Sequence, residues 1–181
     1  QKTAYEIGVR LVGSEMCIRD RSEGVALHFT DRRNDHEIEI SAIIGKQGKN
    51  VIRENALDHI AAYAIGLDMT VRGTEERSLR KAIDSYSVLG PWLVTADEID
   101  DPDNLDFSIH VGEALRQKSN TNMLIFDMRR LIEYGSEFYT LYPGDVIMTG
   151  TPEGVGPVQP GDVMHCWADK IGHMDIPVRA A

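Results

Sequence analysis

Three acidic side chains have the types and spacing to hold a hard metal ion. Glu37 and Glu39 lie in Asp35-His36-Glu37-Ile38-Glu39-Ile40-Ser41-Ala42-Ile43-Ile44, and Asp68 lies in Gly66-Leu67-Asp68-Met69-Thr70. A strand alternates its faces with a period of two, so Glu37 and Glu39 project the same way, roughly 7 Å apart. Ile38, Ile40, Ala42 and Ile44 then point the other way, into a core. Two carboxylates side by side on a rigid strand repel each other, and a divalent cation relieves that repulsion. Oxygen ligands are what Mg2+, Mn2+ and Ca2+ prefer, and Asp68 would complete a facial set. The plainer reading is an edge strand whose exposed acids discourage pairing with another chain. The spacing alone fits both.

The elements that must position these acids can be read along the chain. The acid strand runs over about 35–44, and Gly45-Lys46-Gln47-Gly48-Lys49 is a turn without the spacing of a phosphate loop. Residues 53–62 read as a helix, because Ile52, Ala56, Ile60, Ala61 and Ala64 share one helical face. A strand containing Asp68 follows, then a charged stretch over 72–84. Leu89-Gly90-Pro91-Trp92 reads as a turn into Leu93-Val94. The acidic stretch 97–106 lacks the Gly and closing Glu of an EF-hand loop and reads as a solvated turn. Leu105, Phe107, Ile109 and Val111 alternate as a strand, and a short helix follows Asp127 with Gly135 near its end. Pro143-Gly144-Asp145-Val146 returns as Pro160-Gly161-Asp162-Val163, two type II turns that each launch a strand. Many short strands, a few short helices and Gly/Pro turns make an α+β fold rich in β structure.

Length and composition bound the function. The chain has 181 residues, 42% hydrophobic and 27% charged, with a formal net charge of −10. That size supports one domain with a real core. The negative charge argues against nucleic acid as a partner, since phosphates need Lys and Arg. Two cysteines, Cys17 and Cys166, without a CxxC motif, argue against a disulfide scaffold or structural zinc and point to a reducing, cytoplasmic setting. No apolar run reaches membrane-spanning length, and no signal peptide is evident. The segment QKTAYEIGVRLVGSEMCIRDR (1–21) resembles translated sequencing adapter, so residues 1–21 are expected to be non-native and residues 22–181 to form a single domain of a truncated protein.

Five stretches together resemble the catalytic C-terminal domain of the fumarylacetoacetate hydrolase family. DHEIEISAIIGK (35–46) resembles its paired-glutamate strand, and ALDHIAAYAIGLDMTVR (56–72) the helix and strand that end at a metal aspartate. RKAIDSYSVLGPWLVTADEI (80–99) resembles its lysine segment. LRQKSNTNMLIFDM (115–128) and LYPGDVIMTGTPEGVGPVQPGD (141–162) resemble the segments that follow.

The resemblance implies a mixed β-sandwich roll that forms a homodimer. It implies Mg2+ or Mn2+ held by Glu37, Glu39 and Asp68. It implies action on small 2-oxo or 1,3-diketo acids, by carbon–carbon hydrolysis, decarboxylation, or related isomerase or hydratase chemistry. Lys81 corresponds to the family's lysine, a catalytic donor to a developing oxyanion; its plain reading is a solvated lysine. Arg72 is positioned to meet a substrate carboxylate, or to form a structural salt bridge. Thr149, Gly150 and Thr151 resemble the family's substrate-carboxylate loop, or are simply a tight turn.

The chain also departs from the family pattern. The family's upstream Asn-Tyr…His…Glu segment, which supplies a general base and a lid, has no counterpart here, so water activation is left without an assigned residue. Glu75 stands where many members have Gln. Other chemistries lack their residues: His36-Glu37 begins like a zinc-protease motif, but position 40 is Ile. Strand alternation puts His36 on the face opposite the glutamates, as a buried, hydrogen-bonded side chain. His59 reads as a packing or solvent-facing helix residue, and Cys166 has no adjacent base. Three readings compete: a metal-dependent enzyme of this family, a catalytically silent fragment or binding domain derived from it, and a structural β protein with a chance acid pair.

Overall fold

The computed structural model describes residues 18–19 and 24–181. In chain order its strands are β1 (Ile18–Arg19), β2 (Val25–Leu27), β3 (Asn34–His36), β4 (Ile38–Ile44), β5 (Ile60–Asp68), β6 (Thr70–Val71), β7 (Ser87–Thr95), β8 (Asp106–Val111), β9 (Ala114–Asn120), β10 (Val146–Met148), β11 (Gly156–Pro157), β12 (Val163–Ala168) and β13 (Gly172–Ala180). Two α-helices, α1 (Arg77–Lys81) and α2 (Met128–Phe138), and three 3-10 turns complete the described elements.

The strands form two five-stranded sheets, ordered β1-β7-β5-β4-β10 and β2-β13-β12-β8-β9, and a three-stranded sheet, β11-β3-β6. Parallel pairs occur at β1–β7 and β13–β2, and the other pairs are antiparallel. This is the β-rich α+β fold expected from the residue pattern, in the mixed sandwich-roll form that the family resemblance implies. The adapter-like stretch lies outside the described residues except for Ile18–Arg19, whose backbone pairs with Ser87 and Val88.

The core follows from strand alternation. Ile38, Ile40 and Ile44 on β4 pack with Ile65 and Leu67 on β5 and with Phe107, Ile109, Met164 and Ile176 from the second sheet. The opposite face of β4 is also covered, where Ile43 meets Ala62, Ala64 and Val146. A central strand buried on both faces can therefore be apolar at nearly every position. Phe107 is 2% exposed in the middle of this core. Replacing it with Ala is expected to cost about 3–5 kcal/mol through lost transfer energy and a residual cavity, measured as a shifted midpoint in denaturant.

The structure corrects three boundaries. The expected 53–62 helix is a 3-10 segment over Arg53–His59, followed at once by strand β5 from Ile60. Ile52, Ala56, Ile60 and Ala64 recur every four residues, which suits a helix, but an even spacing also keeps residues on one face of a strand. Leu89-Gly90-Pro91-Trp92 is not a turn. It lies inside β7, across a register shift against β5, with a cis Gly90–Pro91 bond. The acid strand divides at Glu37 into β3 and β4, and β3 pairs away into the three-stranded sheet.

Other expectations hold. Strand β8 buries Phe107, Ile109 and Val111 in alternation. Helix α2 begins at Asp127, whose carboxylate accepts the Arg130 N–H at 2.8 Å as an N-cap. Gly144 and Gly161 adopt φ of 94° and 100°, as the third position of a type II turn requires.

Candidate metal centre

Strand register brings the three acids together. Ile38 pairs with Leu67 and Glu39 with Gly66 across β4 and β5. The ladder continues one step to place Glu37 beside Asp68, whose N–H donates to Glu37 O at 2.9 Å. Glu37, Glu39 and Asp68 thus share one face of the sheet, each offering an oxygen within 4.8 Å of the others. Gly66, opposite Glu39, leaves the space that a side chain would take: a Cβ there would meet Ser41 Oγ at 2.4 Å. The three acids are 4–7% exposed, so the edge-strand reading of solvated surface acids does not describe them.

Burial makes their mutual charge expensive. Burial, and then the neighbouring Asp68, push the Glu39 carboxyl up to about 8, against the opposing pull of the Gly150 N–H and Lys81. The Gly150 N–H donates to Glu39 Oε2 at 2.6 Å. Lys81, the last residue of α1, places its ammonium between two of the acids, donating to Glu37 Oε2 at 2.9 Å and to Asp68. Burial disfavours its charge, but Asp68 and Glu37 outweigh this and hold its pKa above the ordinary lysine value. Lys81 is therefore not a solvated lysine.

A chain of ion pairs extends outward from the centre. Arg72 donates to Glu37 Oε1 at 2.9 Å and to Asp35 Oδ2 at 2.7 Å, while Arg33 reaches Asp35 Oδ1 at 2.7 Å. The Asp35 side chain is fully buried. Burial alone would raise its pKa, and the two guanidinium groups reverse this and lower it. The structure thus places Arg72 in the salt bridge that its plain reading described, at the border of the acid cluster. Glu75 lies farther out and pairs with Arg32 through both carboxylate oxygens, at 2.9 and 2.8 Å.

The 149–151 loop meets the acids mainly through its backbone. The Thr149 hydroxyl donates to Ile40 O and the Thr151 hydroxyl to Ile38 O, both at 2.8 Å, so the two side chains fasten the loop to β4. Gly150, at φ 99°, turns its N–H toward Glu39; that left-handed conformation suits glycine. His36 is fully buried and bonded through Nδ1 to Gln117 Oε1 at 2.9 Å. Burial lowers its pKa despite that bond, favouring the neutral ring. His59 is buried and bonded to Lys46 O. Cys166 is buried, which raises its thiol pKa and leaves it unreactive.

Two contributors were not singled out from the sequence. Asp35 reads as the polar start of a strand, and its role emerges only when Arg33 and Arg72 converge on it. Gln117 lies in Leu115-Arg116-Gln117-Lys118-Ser119-Asn120, a run with no apolar alternation, yet it is 1% exposed. An uncharged side chain between Arg116 and Lys118 is its only local mark.

The donor set fits a hard divalent cation. Three buried carboxylate oxygens within one ion's reach, with a lysine cation already drawn between two of them, form a centre built around positive charge. A β-rich roll with a three-carboxylate centre on its first sheet is the class that fold and site define. The chain belongs to the fumarylacetoacetate hydrolase family: the Fumarylacetoacetate (FAA) hydrolase C-terminal domain matches residues 11–179.

Among its relatives, a maleylpyruvate hydrolase of Aquipseudomonas alcaligenes is 58% identical over 158 residues, covering 87% of this chain and 55% of the relative. A mitochondrial oxaloacetate tautomerase of Xenopus laevis, fahd2, is 42% identical, covering 87% and 53%. The crystal structure of maleylpyruvate hydrolase from Sphingobium sp. SYK-6 in complex with manganese (II) ion and pyruvate superposes with a TM-score of 0.84 at 43% identity, covering 91% and 61%. The chain spans about half the length of the curated relatives named here. Among the described residues, no helix is long and apolar enough to cross a membrane.

Proposed function

We propose that this protein is a divalent-metal-dependent enzyme acting on 2-oxo or 1,3-diketo acids, by carbon–carbon bond hydrolysis or decarboxylation or the related isomerase and hydratase chemistry. The observation that carries this reading is the convergence of Glu37, Glu39 and Asp68 within 4.8 Å, with Lys81 between two of them. The manganese ion and pyruvate of the Sphingobium complex support Mn2+ as the ion, with Mg2+ as the alternative, and a small 2-oxo acid as the substrate type. A homodimer working in the cytoplasm, with residues 22–181 as one catalytic domain, completes the proposal.

Glu37, Glu39 and Asp68 would hold the ion. When bound, it supplies Lewis acidity to the oxo acid and orients it. The remaining tasks fall to the chain's own groups. Cleavage beside a carbonyl leaves an enolate whose charge needs a donor where it develops. Lys81 is the cation at the centre that can swing from the acids to donate there. Arg72, on the border, is the group to meet a substrate carboxylate by exchanging a bond to Glu37. The Thr149–Thr151 loop presents backbone to the same space, and its threonine hydroxyls keep Gly150 in place rather than reaching outward.

Turnover of a panel of 2-oxo and 1,3-diketo acids, maleylpyruvate and oxaloacetate included, tests the proposal. Mn2+-loaded protein is expected to turn over at least one of them, to lose turnover with a chelator and to regain it on adding Mn2+. Folded, Mn2+-saturated protein inert toward the whole panel would overturn the proposal in favour of a silent binding domain.

A further inference from the structure

A ring of hydrogen bonds closes around the peptide that joins the two glutamates. Gln117, on β9 of the second five-stranded sheet, reaches β4 of the first. Its Oε1 lies 3.3 Å from the N–H of Ile38 and 2.9 Å from His36 Nδ1. Its Nε2 lies 2.8 Å from both Thr151 Oγ1 and Pro152 O. The amide orientation is forced at both ends, because the Pro152 carbonyl can only accept and the Ile38 N–H can only donate. The oxygen therefore faces Ile38 and His36, and His36 carries its proton on Nδ1. The Thr151 hydroxyl gives its own proton to Ile38 O, so its oxygen accepts the Gln117 N–H. The ring has one direction, and the amide uses both donors and both acceptor positions.

Ile38 stands between Glu37 and Glu39, and the ring holds both its N–H and its C=O. Thr151 follows Gly150, whose N–H holds the Glu39 carboxylate. One buried amide thus joins the backbone of two acids to the loop that orients one of them. We propose that Gln117 is a positioning residue for the metal centre, setting the spacing of Glu37 and Glu39 through the peptide between them. This rests on the metal-dependent reading given above. A ligand set held to within tenths of an ångström binds its ion more tightly than one that must be ordered on binding, and partners behind the ligands typically contribute about 10–100-fold in affinity.

The test is Mn2+ affinity and the electron paramagnetic resonance spectrum of bound Mn2+ for wild type, Gln117→Glu, Thr151→Val, their double variant and Thr151→Ser, each well below its melting temperature. Gln117→Glu keeps the shape but loses both N–H donors, and Thr151→Val breaks the same ring from the other side. Each is expected to weaken Mn2+ binding about 10–100-fold and to broaden the Mn2+ spectrum. The double variant should be little worse than either single one, since all three open one ring. Thr151→Ser, which keeps the hydroxyl, should retain wild-type affinity. A residue that merely stabilises the fold would lower the melting temperature yet leave affinity and spectrum unchanged in the folded protein, and that result overturns the inference while the metal centre stands. Should Gln117→Glu not fold, Thr151→Val decides by the same criteria. A wild-type protein that binds no Mn2+ would instead overturn the metal centre itself, and this inference with it.

Discussion

Glu39→Gln is expected to weaken Mn2+ binding by at least ~100-fold, beyond the usual effect of losing a partner behind a ligand, while the protein melts no lower than wild type. The two halves of this expectation have separate causes. Glutamine keeps an oxygen to accept the Gly150 N–H, now at 2.6 Å from Glu39 Oε2, so the loop stays in place. It removes a buried acid whose charge burial and Asp68 oppose more strongly than the Gly150 N–H and Lys81 favour it, so the metal-free core loses no net favourable charge. An amide oxygen is a far poorer ligand for a hard cation than a carboxylate.

The same residue sets a pH dependence. The Glu39 carboxyl titrates near its ordinary value of 4.5 when unfolded and at about 8 in the fold. Between those values the metal-free native state holds a proton that the unfolded chain has released. Native stability therefore falls as pH rises across this window. Glu39→Gln should flatten that slope, as followed by thermal melting of chelator-treated protein across the window. Calorimetric titration reads the affinity. Undiminished Mn2+ binding by a folded Glu39→Gln protein would show that the ion sits elsewhere.

How much of this centre the sequence reveals depends on the range of the interactions. The period-two run from Glu37 to Ile44 exposes the glutamate pair and its apolar underside, because alternation is a local property. The Asp127 cap of α2 and the glycines at 144 and 161 are equally local. Asp68 is legible as an acid inside a second strand-like stretch, but its place beside the glutamates needs a register between two strands, which local pattern does not carry and the family resemblance only implied. The 53–62 helix failed because a spacing of four serves both periods, and tertiary burial of β5 decided between them. Pro91 reads as a turn because proline usually ends a strand, yet it sits at a register shift in β7, where the ladder is already interrupted. Gln117 and Asp35 were silent for a different reason. Gln117 meets Ile38 and His36 from 79 and 81 positions away, and Asp35 meets Arg72 from 37. Polar pairs that distant leave no pattern in a window of sequence.

Lys81→Met separates the two tasks that the geometry gives this lysine. Its ammonium bonds Glu37 and Asp68, with the side chain 16% exposed. In metal-free protein it acts as the counter-ion of the centre. Methionine fills much the same volume without the charge, leaving the neighbouring carboxylates to repel one another. Breaking a fully buried pair costs about 3–5 kcal/mol. The residual exposure here reduces the expected loss to about 2 kcal/mol, screened by solvent at the mouth of the site. Mn2+ should bind Lys81→Met more tightly than wild type, because the ion no longer competes with an ammonium for the same oxygens, and saturating Mn2+ should restore the lost stability. Turnover divides the possibilities. If Lys81 serves only as a counter-ion, Mn2+ replaces it completely and turnover returns along with the melting temperature. If Lys81 donates to the developing enolate, the Mn2+-saturated variant melts like wild type yet remains about 10²–10³-fold slower, the usual cost of losing one oxyanion donor. We expect the second result, since no other lysine among the described residues makes an ion pair with these acids.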